Sequence, residues 1–253
     1  IGCTSPSVEK KGLHSSSREI QPDVEGRSNM IGYGHIYPLL LGEFTLQRGD
    51  FLGSFDIYSR LARNSYDEKL LKKTLTLALL SAKYVEAYFL SKKICKLVKN
   101  YECYAQFTAI AAKLQLVNEA FLRNADIESI VRETPRDFLR SISNNLAFVG
   151  ASASSYADVL TAFKSLEFFE GLSDEQSEIF AVLAIQAADY NQAMQFILTN
   201  TKSSGLNLPL FKLLITQAEK SVGPDVLSAW VNSIRRFSKE DRQLALWEAL
   251  FFE

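Results

Sequence analysis

The sequence predicts an all-α protein built as an array of antiparallel helix pairs, and three observations carry that expectation. Only 12 Gly and 6 Pro occur in 253 residues, and Pro is missing from most periodic segments, unlike a sandwich of many strands. Apolar residues recur at helical spacing, and no segment alternates with period two for long enough to make a strand. A turn signature also returns. An aromatic or aliphatic residue followed three positions later by a small one occurs at Phe51/Ser54, Tyr84/Ala87 and Val117/Ala120, in steps of 33 residues. It occurs again at Tyr190/Ala193, 73 residues further on, which leaves room for one irregular helix pair.

The elements follow in order. HIYPLLLGEFTLQRG and FLGSFDIYSRLARN each place apolar residues on one helical face, and Gly49-Asp50 lies between them where an antiparallel pair needs a tight turn. Further helices are expected over 67–81, 84–98, 101–114, 117–124, 135–149, 155–169, 174–188, 190–200, 208–221, 224–237 and 239–252. Thr134-Pro135 offers an N-cap followed by Pro at the first helical position. Ser173-Asp174-Glu175-Gln176 reads as a capping box. Gly223-Pro224-Asp225 and Ser238-Lys239-Glu240-Asp241 open two more helices. Gly150, Gly171 and Gly205 fall where helices should stop.

Bulk composition narrows the function. The chain is 47% hydrophobic and 23% charged with a net charge of −1. That is ordinary for a globular protein and gives no overall field toward nucleic acid or anionic lipid. No apolar run reaches the roughly 18 residues of a membrane span. The longest, LTLALL (75–80) and IFAVLAI (179–185), are core segments.

Residues 35–134 resemble the tetratricopeptide repeat, a helix–turn–helix unit of about 34 residues. The first unit carries that family's Leu41-Gly42, its turn Gly49-Asp50-Phe51 and its late aromatic Tyr58. It departs from the pattern at Pro38, Thr45, Ser54 and Tyr66. Later units keep Ala82-Lys83-Tyr84, Leu116-Val117 and Ala188-Asp189-Tyr190, so the clearest repeats span 35–134 and 174–207. The resemblance implies a right-handed α-solenoid over 31–253, a superhelix whose stacked pairs bury stripes that no pair can bury alone. The last segment, QLALWEALFFE (243–253), ends on an apolar helix without a polar cap. The array is therefore expected to continue beyond residue 253 or to dock that helix elsewhere.

The resemblance also implies a binding surface, because in this family the first helix of each pair lines a concave groove. Its groove positions fall on Leu39, Leu40, Glu43 and Gln47 in the first unit. They fall on Lys72, Lys73 and Thr76 in the second, and on Gln106 and Lys113 in the third. Leu39 and Glu43 stand at the first two positions of a clamp that some relatives use for a peptide's terminal carboxylate, so that specificity is not carried over. The expected groove is apolar and acidic at its start and basic around Lys72, Lys73 and Lys113, fit for an acidic segment of another protein. Those lysines serve equally well to solubilise the array.

No catalytic constellation emerges. The chain has no glycine-rich phosphate loop, no HExxH and no GxSxG, and only two histidines, His14 and His35. Carboxylate pairs such as Asp67/Glu68 and Glu240/Asp241 sit at helix starts, where the macrodipole favours them. Arg48-Gly49-Asp50 spells an adhesion tripeptide, but its place in a hairpin turn accounts for it. The expectation is a protein-binding scaffold that is not an enzyme, takes no cofactor or metal and binds no nucleic acid.

The three cysteines fit no zinc pattern. Cys95 and Cys103 lie either side of a predicted inter-helix loop, where a disulfide or two buried thiols would fit, the thiols being the commoner outcome. Cys3 stands in Ile-Gly-Cys, which resembles the end of a bacterial lipobox. It precedes TSPSVEKKGLHSSSREIQPDVEGRSN (4–29), a Ser- and charge-rich stretch with the composition of a tether. Residues 1–30 thus read as a lipobox remnant and tether. With the opening Tyr37–Phe51, the chain resembles periplasmic repeat lipoproteins of Gram-negative bacteria. That implies lipidation at Cys3 and, with Thr4 after it, the periplasmic face of the outer membrane. Two alternatives remain: a cytoplasmic adaptor of the same fold without lipid, and a solenoid enzyme acting on glycans, which would need a carboxylate pair in a groove.

Overall fold

The computed structural model describes residues 35–118, 125–166, 171–237 and 244. Among them are twelve α-helices and no strand. They are α1 (Ile36–Gln47), α2 (Phe51–Ala62), α3 (Glu68–Leu80), α4 (Tyr84–Val98), α5 (Tyr101–Lys113), α6 (Ala125–Glu133), α7 (Pro135–Phe148), α8 (Ala153–Ser165), α9 (Asp174–Gln186), α10 (Tyr190–Ser204), α11 (Leu208–Ala218) and α12 (Pro224–Arg235). Packing follows chain order from α1 to α5, then passes from α5 to α7 and from α7 and α8 to α9. The result is an all-α solenoid of stacked hairpins.

One turn recurs at five helix ends. Gly49, Ala82, Gln115, Gly150 and Ala188 all have left-handed backbone, with φ of 79°, 54°, 60°, 60° and 59°. In each turn that residue's N–H bonds the carbonyl three positions back. The next N–H bonds five back: Asp50 to Thr45 (3.2 Å), Lys83 to Ala78 (2.8 Å), Leu116 to Ala111 (2.7 Å), Ala151 to Leu146 (3.0 Å) and Asp189 to Ala184 (2.9 Å). This pair of bonds is the Schellman closure, which satisfies the last carbonyls of a helix while reversing the chain. The irregular pair expected between the third and fourth signatures is α7–α8, reversed by the turn at Gly150.

Close approach within a hairpin depends on small residues. A Cβ on Gly42 would stand 2.7 Å from Tyr58 Cε2, so α1 and α2 could not keep their contact with any larger residue there. The Ser54 hydroxyl donates to the Gly42 carbonyl at 3.0 Å. Ser54, Ala87 and Ala193, the small members of the repeated signature, are fully buried. Its aromatic members differ. Tyr84 and Tyr190 are half-buried against the core, whereas Phe51 is 40% exposed.

Some sequence expectations change. Residues 125–133, left as a connection, form α6: Ile127 and Val131 are buried one turn apart, with acidic Asp126 and Glu128 in the first turn and Arg132 in the last. Thr134 does not cap α7 with its side chain. Helix α6 runs up to it, and its hydroxyl donates back to the Ile130 carbonyl at 3.0 Å. The box at Ser173 forms in full, with Ser173 accepting from Gln176 N–H and Gln176 returning a bond to Ser173 N–H. The helix expected over 117–124 starts at Val117, and its residues 119–124 lie outside the described set. The expected helix 239–252 also lies outside it apart from Leu244, and so do Cys3 and the tether.

Candidate functional site

Three first helices each contribute a pair of polar residues one turn apart: Lys72 and Thr76 from α3, Glu102 and Gln106 from α5, Ser141 and Asn145 from α7. Residues four apart share one helical face, so stacking these helices turns three such pairs to one place. They line a cavity of about 360 Å³, completed by Asn100 and by Leu75, Ile94 and Cys103.

The cavity wall is held firmly where α4 meets α5. Lys99 is left-handed (φ 48°), and Asn100 caps α5 by accepting the Cys103 N–H at 3.0 Å. Cys95 and Cys103, both buried, are joined by a disulfide with their Cα atoms 5.5 Å apart. Of the polar groups, Lys72 is bound to Glu68 one turn earlier at 2.6 Å, with both side chains about half exposed, so the pair adds little to stability. Asn145 donates to the Ser141 carbonyl at 2.8 Å. The Gln106 carboxamide makes no hydrogen bond among the described residues.

The other expected groove residues sit elsewhere. Leu39 packs partly buried against the core, Leu40 is 53% exposed, and Gln47 is exposed at the end of α1. Glu43 accepts from both Tyr58 and Lys73, which ties α1, α2 and α3 together. The Lys73 bond and then the Tyr58 bond hold the Glu43 carboxyl below its ordinary value, while burial and then Glu43 raise the Tyr58 phenol. Lys113 donates to the Gly150 carbonyl at 2.5 Å and lies 5.4 Å over the Tyr84 ring, so it staples neighbouring turns. The basic middle expected from three lysines is therefore different in kind: Lys73 and Lys113 are spent on joints between hairpins, and Lys72 alone reaches the cavity.

Asn100, Glu102, Ser141 and Asn145 were not foreseen. Ser141 and Asn145 belong to the hairpin whose turn, Gly150-Ala151-Ser152, has lost the aromatic signature, so no register could be carried onto it. Glu102 was legible as the residue one turn before Gln106.

Among the described residues no cluster of three or more His, Cys, Asp and Glu could hold a metal, and no helix is long and apolar enough to cross a membrane. No family model matches the chain, and no curated protein matches it. It is similar to a tetratricopeptide repeat protein from Parabacteroides merdae ATCC 43184, known from a crystal structure, over 82% of this chain and 81% of that one, at 13% identity and a TM-score of 0.42. On the geometry of its own turns and hairpins, the chain is an all-α solenoid of stacked helix hairpins.

Proposed function

We propose that the protein is a non-enzymatic scaffold that docks a segment of another protein in the cavity between α3, α5 and α7, and that a lipid on Cys3 tethers it to the periplasmic face of a bacterial outer membrane. One observation carries the docking reading: three successive first helices turn hydroxyl, carboxamide, ammonium and carboxylate groups into one cavity around Leu75 and Ile94. Such a surface suits an extended peptide. Backbone N–H and C=O groups find partners of both kinds, and a small apolar side chain finds the floor. With Lys72 and Glu102 as its charged groups, the cavity favours a near-neutral segment over a strongly acidic one.

The glycan-enzyme alternative loses ground here, since Glu102 is the one carboxylate among the described lining residues and glycoside hydrolysis ordinarily uses two. The tether reading draws on Ile-Gly-Cys and the polar stretch after it. The Cys95–Cys103 disulfide supports it too, because such bonds persist in oxidising compartments. That disfavours the cytoplasmic adaptor.

Filling the cavity tests the docking reading. Gln106→Trp and Asn145→Trp should abolish capture of the partner while far-UV circular dichroism and melting temperature stay at wild-type values. Undiminished capture refutes the assignment. For the tether, Cys3→Ala behind its native leader should move the protein from the membrane fraction to the soluble periplasm, because a lipidated cysteine supplies the two or more chains that stable anchoring needs. Unchanged membrane association refutes it.

A further inference from the structure

Helix α1 is apolar on both sides. Leu39 and Leu46 face the core, while Ile36, Tyr37, Leu40, Leu41 and Phe44 form an outward stripe at spacings of one and four, 43–73% exposed. Phe51 and Leu52, at the start of α2, are 40% and 48% exposed. Aromatic side chains offer about 150–250 Å² each, so these seven residues present on the order of 600 Å², and two such faces together reach the lower end of a specific interface. Scattered exposed apolar residues need no explanation, but a continuous stripe of this size does.

We infer that this face is a homodimer interface in which α1 packs antiparallel on α1 of a second copy. Charge argues for a second copy. A two-fold contact repeats the face on itself, so a charge near its axis would meet its own copy, whereas Arg48, exposed just past the end of α1, lies away from an axis at the middle of the helix. The one charged residue within α1 is Glu43, and it is occupied by Tyr58 and Lys73. Antiparallel apposition also sets opposite helix ends side by side, which the macrodipoles favour. A lipid surface fits less well, because α1 itself has no Lys or Arg and Arg48, just past its end, is a single cation where anionic headgroups call for several. The chain's own leading segment fits less well too, since residues 4–29 carry no helical apolar stripe to lay across α1.

Sedimentation velocity on the 253-residue chain carrying Cys3→Ser, at roughly micromolar to tens of micromolar concentration, should show a dimer. Phe44→Glu and, separately, Leu40→Glu should each give monomers with wild-type helicity. Leu40→Cys should form a covalent dimer on mild oxidation, because residues near the middle of α1 meet their own copies across the two-fold axis, whereas Asp158→Cys on α8 should not. A monomeric wild-type chain overturns the inference, as does a dimer that survives both glutamate variants. A monomer that floats with phosphatidylethanolamine–phosphatidylglycerol vesicles overturns it in favour of a lipid surface.

Discussion

The hairpins on either side of the α5–α7 contact share one turn but differ in the side chains that cross their joints. Before it, lysines cross, beside one ring contact between Tyr88 and Phe107; after it, rings run in a chain, beside the pairing of Arg136 and Arg140 with Glu175. Lys73 reaches Glu43 and the Tyr58 ring, Lys93 donates to the Ala62 and Arg63 carbonyls that end α2, and Lys113 holds the turn at Gly150. After it, a chain of phenylalanines passes through the core: Phe138 to Phe163 (6.2 Å between ring centroids), Phe163 to Phe180 (5.3 Å) and Phe180 to Phe196 (5.5 Å). The turns before it recur every 33 residues, at 49, 82 and 115, while the later ones follow at 150 and 188. The backbone turn thus recurs from Gly49 to Ala188 while the side chains that join one hairpin to the next change; the pair α11–α12 is reversed differently, with Ser221 and Val222 N–H both bonding the Ala218 carbonyl and no left-handed residue. The candidate site straddles the boundary, taking α3 and α5 from one region and α7 from the other.

The largest expected effect lies in the phenylalanine region. Phe163 is fully buried and touches two other rings, so Phe163→Ala should destabilise by about 3–5 kcal/mol in chemical denaturation. A loss under about 1 kcal/mol would mean that the ring chain is not the joint. Next comes Gly42→Ala, which forces a methyl against Tyr58 and should cost about 1–3 kcal/mol through overpacking. Gly49→Ala tests the alternative that glycines matter here only for conformation. A Cβ there meets nothing within 4 Å, so its cost should be confined to the roughly 1 kcal/mol of a left-handed residue.

Smaller and opposite in sign, Gln115→Gly and Ala188→Gly relieve left-handed backbone in residues that carry a Cβ. Each should raise stability by about 0.5–1 kcal/mol, less the entropy that glycine adds to the unfolded chain. Smallest is a pH effect confined to the lysine-joined region. The Glu43 carboxyl is depressed below 4.5 by Lys73 and then Tyr58. Its contribution is therefore present above that value and is lost as pH falls through the folded one. With Glu43 and Lys73 more than a third exposed, the loss should be modest. Hydrogen exchange should show it in α1–α3 and not in α9–α10, and Glu43→Gln should remove it.

What the sequence made legible follows the same divide. The turns at Gly49, Ala82, Gln115 and Ala188 were readable because each is followed within two residues by the aromatic or aliphatic member of the signature. The turn at Gly150 was readable from its glycine only as a helix stop and not as part of the repeat, because Schellman closure is made by backbone atoms and places no demand on Ala151 or Ser152. Helix α6 was missed for another reason: it is short and follows the helix expected over 117–124 at the end of the third unit, where a two-helix repeat calls for a connection. Of the nine expected groove residues, Lys72, Thr76 and Gln106 reach the cavity. Lys73 and Lys113 do not, because a lysine's long stem lets it serve a joint as readily as a groove, and sequence position does not reveal which carbonyl or carboxylate lies within reach.

The most direct test of the central claim, that partner docking occurs where the two regions meet, is site-specific photocrosslinking in cells. A photoreactive residue would be placed in turn at Thr76, Gln106, Asn145 and, as a control, at Asp158 on α8. One and the same partner should be trapped from Thr76 and Gln106 on one side of the boundary and from Asn145 on the other, with none from Asp158. A partner trapped from Asp158 and from none of the three cavity positions would contradict it.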